Sequence, residues 1–370
     1  MTIHIQESTK ITAPFRYDHV GSLLRTEPLK QAREDYKAGT ITYEELKNVE
    51  NAEIIHLIEK QKENGLIGVT DGEFRRSWWH FDFLGGLDGV DYYEKETGLS
   101  FHKMETRKEG IRVSGQIDFS DHPFLEHFRF VQEHAGDAVV KQTIPSPNML
   151  LYRADINDDR YQDREKLLQD TIAAYQKAIQ AFYDAGCRYL QLDDVYIAGL
   201  NAPEIPFNDS GYSREELIDL ALRVANGVLE DKPEDLIITT HLCRGNYRSK
   251  WAFEGSYAKI APTLFAKEKV NGFFLEYDDD RSGDFGPLNY IPNGGPQVVL
   301  GVFTSKHGEL EVKENIKARI EEATKYVPLE QLCISPQCGF ASTHHGNILT
   351  EDEQWTKLKY IVDISKEIWG

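Results

Sequence analysis

Four residues of this chain have the types and the setting to hold a metal ion: His241, Cys243, Glu276 and Cys338. Each ends or follows a short, apolar, β-rich run: LIITTHLC (236–243), NGFFLEY (271–277) and LCISPQC (332–338). One imidazole, two thiolates and one carboxylate form a donor set suited to tetrahedral Zn2+. The His-x-Cys spacing sends both side chains to the same side of an extended strand. Taken singly, each residue has a plainer explanation. A lone Cys is usually a small buried hydrophobe, and Cys187 and Cys333 read that way. A lone Glu at a strand end is usually solvated or ion-paired. The combination of the four is what points to zinc.

Such a set needs a scaffold that brings distant strand ends together. Eight strand-like runs are legible: YDHVGS (17–22), LIGVTDGE (66–73), AVVKQTIPS (138–146), CRYLQLDD (187–194), LIITTHLC (236–243), NGFFLEYD (271–278), PQVVLGVF (296–303) and LCISPQC (332–338). Most are almost continuously apolar, as strands buried on both faces must be. Helical patterns lie between most of them. Residues 163–185 place Leu167, Leu168, Ile172, Tyr175, Ile179 and Phe182 on one helical face, and Gly186 follows as a stop. Ser213 with Glu216, and Thr350 with Glu353, read as capping boxes. Eight strand–helix units predict an α/β fold, a (β/α)8 TIM barrel, as one domain over residues 1–370. Residues 74–137 break the rhythm and read as an insertion after the second strand. Within it FHKMETRKEGIRVSGQIDF (101–119) alternates about Glu109-Gly110, which predicts a β-hairpin turning there. In such a barrel the C-terminal strand ends share one face, so Ser22, Asp71, Glu73, Ser146, Asp193, Asp194, His241, Cys243, Glu276, Lys306 and Cys338 are expected to meet.

The formal net charge of −19 argues against unaided binding to nucleic acid or an anionic membrane. No apolar stretch approaches the length of a membrane span. MTIHIQESTK lacks the apolar core of a signal peptide. Four cysteines in 370 residues do not suggest a disulfide scaffold. A reduced, cytoplasmic setting is the expectation, with thiols free for metal.

The chain resembles the C-terminal catalytic barrel of cobalamin-independent methionine synthase over almost its full length. HLC (241–243), the Glu of FFLEYDDDRSG (273–283) and PQCG (336–339) fall in the order of that family's zinc ligands. HVGS (19–22), DGEFRRS (71–77) and LQLDD (190–194) match its Gly-Ser strand end, its HGE-like motif and its QIDEP-like motif. The resemblance implies a zinc-dependent methyltransferase that methylates the thiol of homocysteine to give methionine. It implies that Ser22 and adjacent backbone N–H groups take the acceptor's carboxylate, while Glu73 and Asp193 take its ammonium. Neighbouring strand residues point oppositely, and between Asp193 and Asp194 the resemblance favours Asp193. For Glu73 the competing reading is an ion pair with Arg75 or Arg76.

Two departures bear on the methyl donor, which is expected to be a methyl-tetrahydrofolate or a methylcorrinoid. The family's full-length enzyme carries a second, N-terminal barrel that helps to bind methylfolate polyglutamate, and this chain has no room for one. The family also carries a proton-transferring histidine after its penultimate strand. Here GVFTSKHGE (301–309) puts Lys306 at that place, with His307 beside it, as the candidate catalytic pair. A folate nitrogen leaves well only when protonated, whereas a methylcorrinoid or a sulfonium needs no proton. His344 and His345 read as ordinary loop residues, as do His19, His56 and His80. A uroporphyrinogen decarboxylase-like barrel and a structural-zinc binding module remain the competing classes, and a homodimer is compatible with the sequence.

Overall fold

The computed structural model describes residues 12–95, 100–101, 104–105, 108–156, 158–205 and 211–370. MTIHIQESTK therefore lies outside the described residues. The described strands are β1 (Gly68–Val69), β2 (Asp88–Glu94), β3 (Ser100–Phe101), β4 (Met104–Glu105), β5 (Glu109–Asp118), β6 (Val139–Pro145), β7 (Ala154–Ile156), β8 (Tyr189–Asp194), β9 (Ile237–Leu242), β10 (Gly272–Glu276), β11 (Gln297–Phe303) and β12 (Leu332–Pro336). Seven of them form one sheet in the order β1-β6-β8-β9-β10-β11-β12, and every pairing in it is parallel. Helices intervene along the chain, so the architecture is α/β with a curled parallel sheet of TIM-like type.

The place of the expected first strand is held differently. Residues 16–23 bridge the two sheet edges without forming a ladder. Asp18 N–H donates to Ile334 of β12, Ile334 N–H donates to Arg16, and Leu23 N–H donates to Gly72 just past β1. Three further carbonyls are taken by side chains: His19 by Lys141, Val20 by Gln191 and Gly21 by Thr70. Buried polar backbone must be paired, and here side chains do what a neighbouring strand would otherwise do. The run LIGVTDGE shortens to β1 for the same reason, since the Gln61 side chain takes both backbone groups of Thr70, accepting from its N–H and donating to its carbonyl.

The helix Arg164–Asp184 buries Leu167, Leu168, Tyr175, Ile179 and Phe182, while Asp163 caps its N-terminus through Glu165 N–H. Gly186 follows at φ +103°, a conformation that a Cβ disfavours. Both anticipated capping boxes are present, at Arg214–Val228 and Glu351–Trp369. A third, Thr42 with Glu45, opens the helix Tyr43–Glu63.

The hairpin expectation needs correction. Glu109-Gly110 is not a turn but the start of β5, which pairs antiparallel with β2 in the register Glu94↔Glu109 and Tyr93↔Gly110. Neither residue takes the positive φ that a two-residue hairpin turn requires. The chain reverses between residues 94 and 109, partly outside the described residues. β7 adds to β5 in parallel, so this second sheet draws on chain beyond the expected insertion as well as within it.

Most of the apolar core is one continuous cluster between the sheet and its helices. A separate small cluster joins Val20, Phe274, Val299 and Cys333, from the bridging segment, β10, β11 and β12. Lys141 on β6 lies over the Phe274 ring and pairs with Asp18, both fully buried.

Candidate metal centre

The parallel register puts Asp193 of β8 directly beside His241 of β9. Their side chains meet accordingly, with His241 Nδ1 2.9 Å from Asp193 Oδ1. Gln191 donates to the same oxygen at 2.8 Å. A carboxylate on one ring nitrogen leaves the other to face the site. Cys243 lies just past the end of β9, and Cys338 two residues past the end of β12. Their sulfurs are 3.3 Å apart, and Gly245 N–H points at Cys243 Sγ at 3.2 Å. The ligand atoms of His241, Cys243 and Cys338 all lie within 4.8 Å of one another, and all three residues are buried.

Protons and charge are distributed unevenly in this cluster. Cys338 is held well below the usual thiol range: the hydrogen bond from Cys243 lowers it against the effect of burial, and His241 and Lys306 add to the lowering. Cys243 is pushed up, by that hydrogen bond and by burial. Burial would lower His241, but its bonds to Asp193 and Cys338 outweigh this and raise it to about 10. A thiolate therefore sits between an imidazolium and a thiol. These protons neutralise the donors as a cation would. One nitrogen and two soft sulfurs, oriented by a second layer of hydrogen bonds, fit zinc by donor type. By contrast, burial pushes Cys187 and Cys333 up to about 12, which suits inert core thiols.

Glu276 stands apart from this group. Its Oε1 accepts from Lys306 Nζ at 3.3 Å and from an Arg281 guanidinium nitrogen at 3.3 Å, and its Oε2 accepts from Arg244 N–H at 3.1 Å. Lys306 also reaches Asp278 Oδ2 at 3.1 Å. Burial opposes the charge on Lys306, but Glu276 and Asp278 outweigh it and raise its pKa, so the residue is a fixed ammonium. His307 is exposed, outside this buried network. Arg281 is further held by Asp279 at 2.5 Å and lies over the Trp251 ring. Asp278 and Arg281 were not anticipated as site residues. Their signal was the acidic run in EYDDDRSG, which more often marks a solvated loop.

One cavity is lined by Ser22, Glu73, Asp193, His241, Cys243 and Cys338, together with Trp79, Gly339 and Ser342. Residues from five separate stretches of chain thus meet at the strand ends. Asp194, by contrast, turns away to Ser146 and Ile197 N–H. Glu73 adopts φ +60°, a backbone strain of about 1–3 kcal/mol that places its side chain. The competing reading for Glu73 is realised in part. Oε1 pairs with Arg76 at 3.2 Å and accepts from Thr143 at 3.1 Å. Oε2 is buried with no hydrogen-bond partner. Burial is the chief cause that raises this carboxyl to about 7, Arg76 opposes, and Asp193 adds to the rise.

Ser22 presses on the backbone after Cys338. A Cβ on Gly339 would lie 1.9 Å from Ser22 Oγ. Gly339→Ala should therefore cost about 1–3 kcal/mol of stability through overpacking. Adding Ser22→Ala should return part of the loss, because the clashing oxygen is gone. Thermal unfolding of the two proteins checks this.

Residues 16–367 match the family model described as the cobalamin-independent synthase catalytic domain. Two Bacillus subtilis (strain 168) proteins, the uncharacterized proteins YxjG and YxjH, are 53% and 50% identical over 361 and 365 residues; each alignment covers 96% of this chain and 95% of the relative. Among solved structures, the Listeria monocytogenes protein named "Putative Vitamin-B12 Independent Methionine Synthase" superposes with a TM-score of 0.80 at 48% identity, covering 97% of this chain and 99% of its own. A B12-independent methionine synthase from Shewanella sp. W3-18-1, solved with selenomethionine, shares the fold at a TM-score of 0.74 and 19% identity, covering 95% and 96% of the two chains. The chain belongs to the cobalamin-independent synthase catalytic-domain family.

Proposed function

We propose that this protein is a zinc-dependent S-methyltransferase that methylates the thiol of homocysteine to form methionine, in a reduced cytoplasmic compartment. The observation that carries the reading is the His241–Cys243–Cys338 cluster opening on the cavity that Ser22, Glu73 and Asp193 also line. A structural zinc site has no need of such a cavity. When bound, zinc would hold the acceptor sulfur as a thiolate at neutral pH, where a free thiol of pKa about 8.5 is mostly protonated.

The chain's own residues do the rest. Asp193 keeps His241 Nδ1 protonated, so the other ring nitrogen serves as the donor. Glu73 Oε2, buried and without a partner, suits an α-ammonium as a charge-assisted acceptor. Asp193 supplies negative charge nearby, and Ser22 with neighbouring N–H groups receives the carboxylate. Lys306 is not a free acid, because its ammonium is engaged by two buried carboxylates. This favours a donor whose leaving group needs no proton, such as a methylcorrinoid or a sulfonium, over methyl-tetrahydrofolate.

The test is methionine formation by zinc-loaded protein from homocysteine with each of the three donors. Product from at least one donor is expected. No product from any donor, with zinc bound and homocysteine leaving its coordination unchanged, would overturn the reading.

The state of Glu73 makes amino-acid binding pH-dependent. Its folded carboxyl titrates at about 7, and an ammonium ligand requires the carboxylate. Below that pH, binding must also expel a proton. Affinity for methionine should therefore weaken by up to about tenfold per unit as pH falls below 7, and level off above it. Glu73→Gln should weaken binding and flatten the profile. Isothermal titration between pH 5.5 and 8.5 reads both, a range chosen to span about one and a half units on each side.

A further inference from the structure

We propose that Arg25, seconded by Arg33, is a positioning residue of the acceptor pocket: its guanidinium sets the spacing between Ser22, Glu73 and the loop after Cys338, and so the spacing between the groups that take an amino acid's carboxylate and its ammonium. This rests on the reading of Ser22 and Glu73 as the acceptor's amino-acid site. Arg25 is buried and lies three residues after Ser22. Among the described residues its hydrogen bonds all go to backbone carbonyls. One terminal nitrogen donates to Leu23 at 3.2 Å and to Ala341 at 2.6 Å. The other donates to Glu73 at 2.5 Å and to Arg76 at 3.1 Å. Each of the first three acceptors belongs to a wall of the cavity. Leu23 adjoins Ser22, Ala341 lies between Gly339 and Ser342, and Glu73 is a wall residue itself. A buried charge must find such partners, and a planar guanidinium holds several of them at fixed angles, as an ammonium cannot.

Arg33, on the helix Glu27–Lys37, grips the other side of the same turn. It donates to the Phe74 carbonyl and, at 3.1 Å, to that of Arg76. The carbonyls of Glu73, Phe74 and Arg76 are therefore all fixed by two arginines. That accounts for how Glu73 keeps φ +60°, since a strained conformation persists only where its surroundings over-determine it. Neither arginine is among the residues that line the cavity, so both act through Glu73 rather than on the ligand.

The experiment measures methionine affinity by isothermal titration, and zinc affinity by chelator competition, in wild type, R25K, R33K, E73Q and the R25K/E73Q double variant. R25K keeps the charge and loses the fork. It should weaken methionine binding by about tenfold to a hundredfold, the worth of a well-placed hydrogen bond to a charged group, and keep the zinc affinity of wild type. The double variant should bind methionine no more weakly than E73Q alone, because Arg25 acts through Glu73. Additive losses, unchanged methionine binding, or a loss of zinc as large as the loss of methionine would each overturn the proposal. Should R25K fail to fold, R33K carries the same test from a partly exposed position, with a smaller loss of about threefold, and unchanged binding by folded R33K overturns the proposal. If wild type itself binds no amino acid, the acceptor reading is what fails. The crystal structure of R25K then decides for Arg25: Glu73 should leave φ +60°, and a Glu73 still held there overturns the proposal.

Discussion

Cys338→Ser will lose zinc and, with it, methyl transfer to homocysteine. Structural zinc sites are worth roughly 10–16 kcal/mol of apparent binding free energy at neutral pH, spread over a few ligands. Removing one of three buried donors should cost several kcal/mol, enough to lower occupancy from about one zinc per chain to almost none under chelator competition. Serine cannot substitute, because its hydroxyl remains protonated where Cys338 is held as a thiolate. Cys243→Ser should behave the same way. Cys187→Ser and Cys333→Ser should keep their zinc, since both residues are buried outside the cluster. Zinc per chain by mass spectrometry, beside a methionine assay, decides it. Full activity in a zinc-free Cys338→Ser protein would refute the site.

Zinc affinity should rise steeply with pH. Before loading, His241 carries a proton up to about pH 10, and Cys243 is also protonated at neutral pH because its pKa is raised. Cys338 is already deprotonated. Metal binding must therefore expel two protons. Below both pKa values each unit of pH should strengthen apparent affinity by up to about a hundredfold, two protons at tenfold each. The slope should lessen as pH approaches 10, where His241 begins to lose its proton unaided. Proton release on loading can be read from the dependence of calorimetric heat on buffer ionisation enthalpy. Release of no protons at pH 7 would contradict the charge distribution described for the cluster.

Seven of the eight strands were legible, because strands buried on both faces are runs of apolar residues whose ends carry the polar chemistry. β6, β8, β9, β10, β11 and β12 lie inside the expected runs, trimmed by one or two residues at most ends. β1 survives as two residues. YDHVGS has the same composition but no ladder, since whether a strand pairs depends on which groups reach its carbonyls. Lys141, Gln191 and Thr70 come from distant positions, and no local pattern announces them. The Glu109-Gly110 turn failed for a related reason. Alternation predicts extended chain on both sides of a dipeptide, but only the φ angles at that dipeptide decide whether it turns.

The sequence by itself determined the scaffold and the candidate donors. His241 and Cys243 are two residues apart on one strand face, Cys338 follows another strand, and apolar periodicity dictates a parallel sheet whose ends converge. Tertiary structure alone decided how those donors are used. It set Asp193 rather than Asp194 against His241, through the β8–β9 register. It paired Glu73 with Arg76 while leaving one oxygen to the cavity. It tied Glu276 to Lys306 and Arg281 instead of to the cysteines. Residue type fixes which bonds a side chain is able to make. Which of them it makes depends on competition among buried groups brought together from far apart in the chain, and those distances exist only after folding.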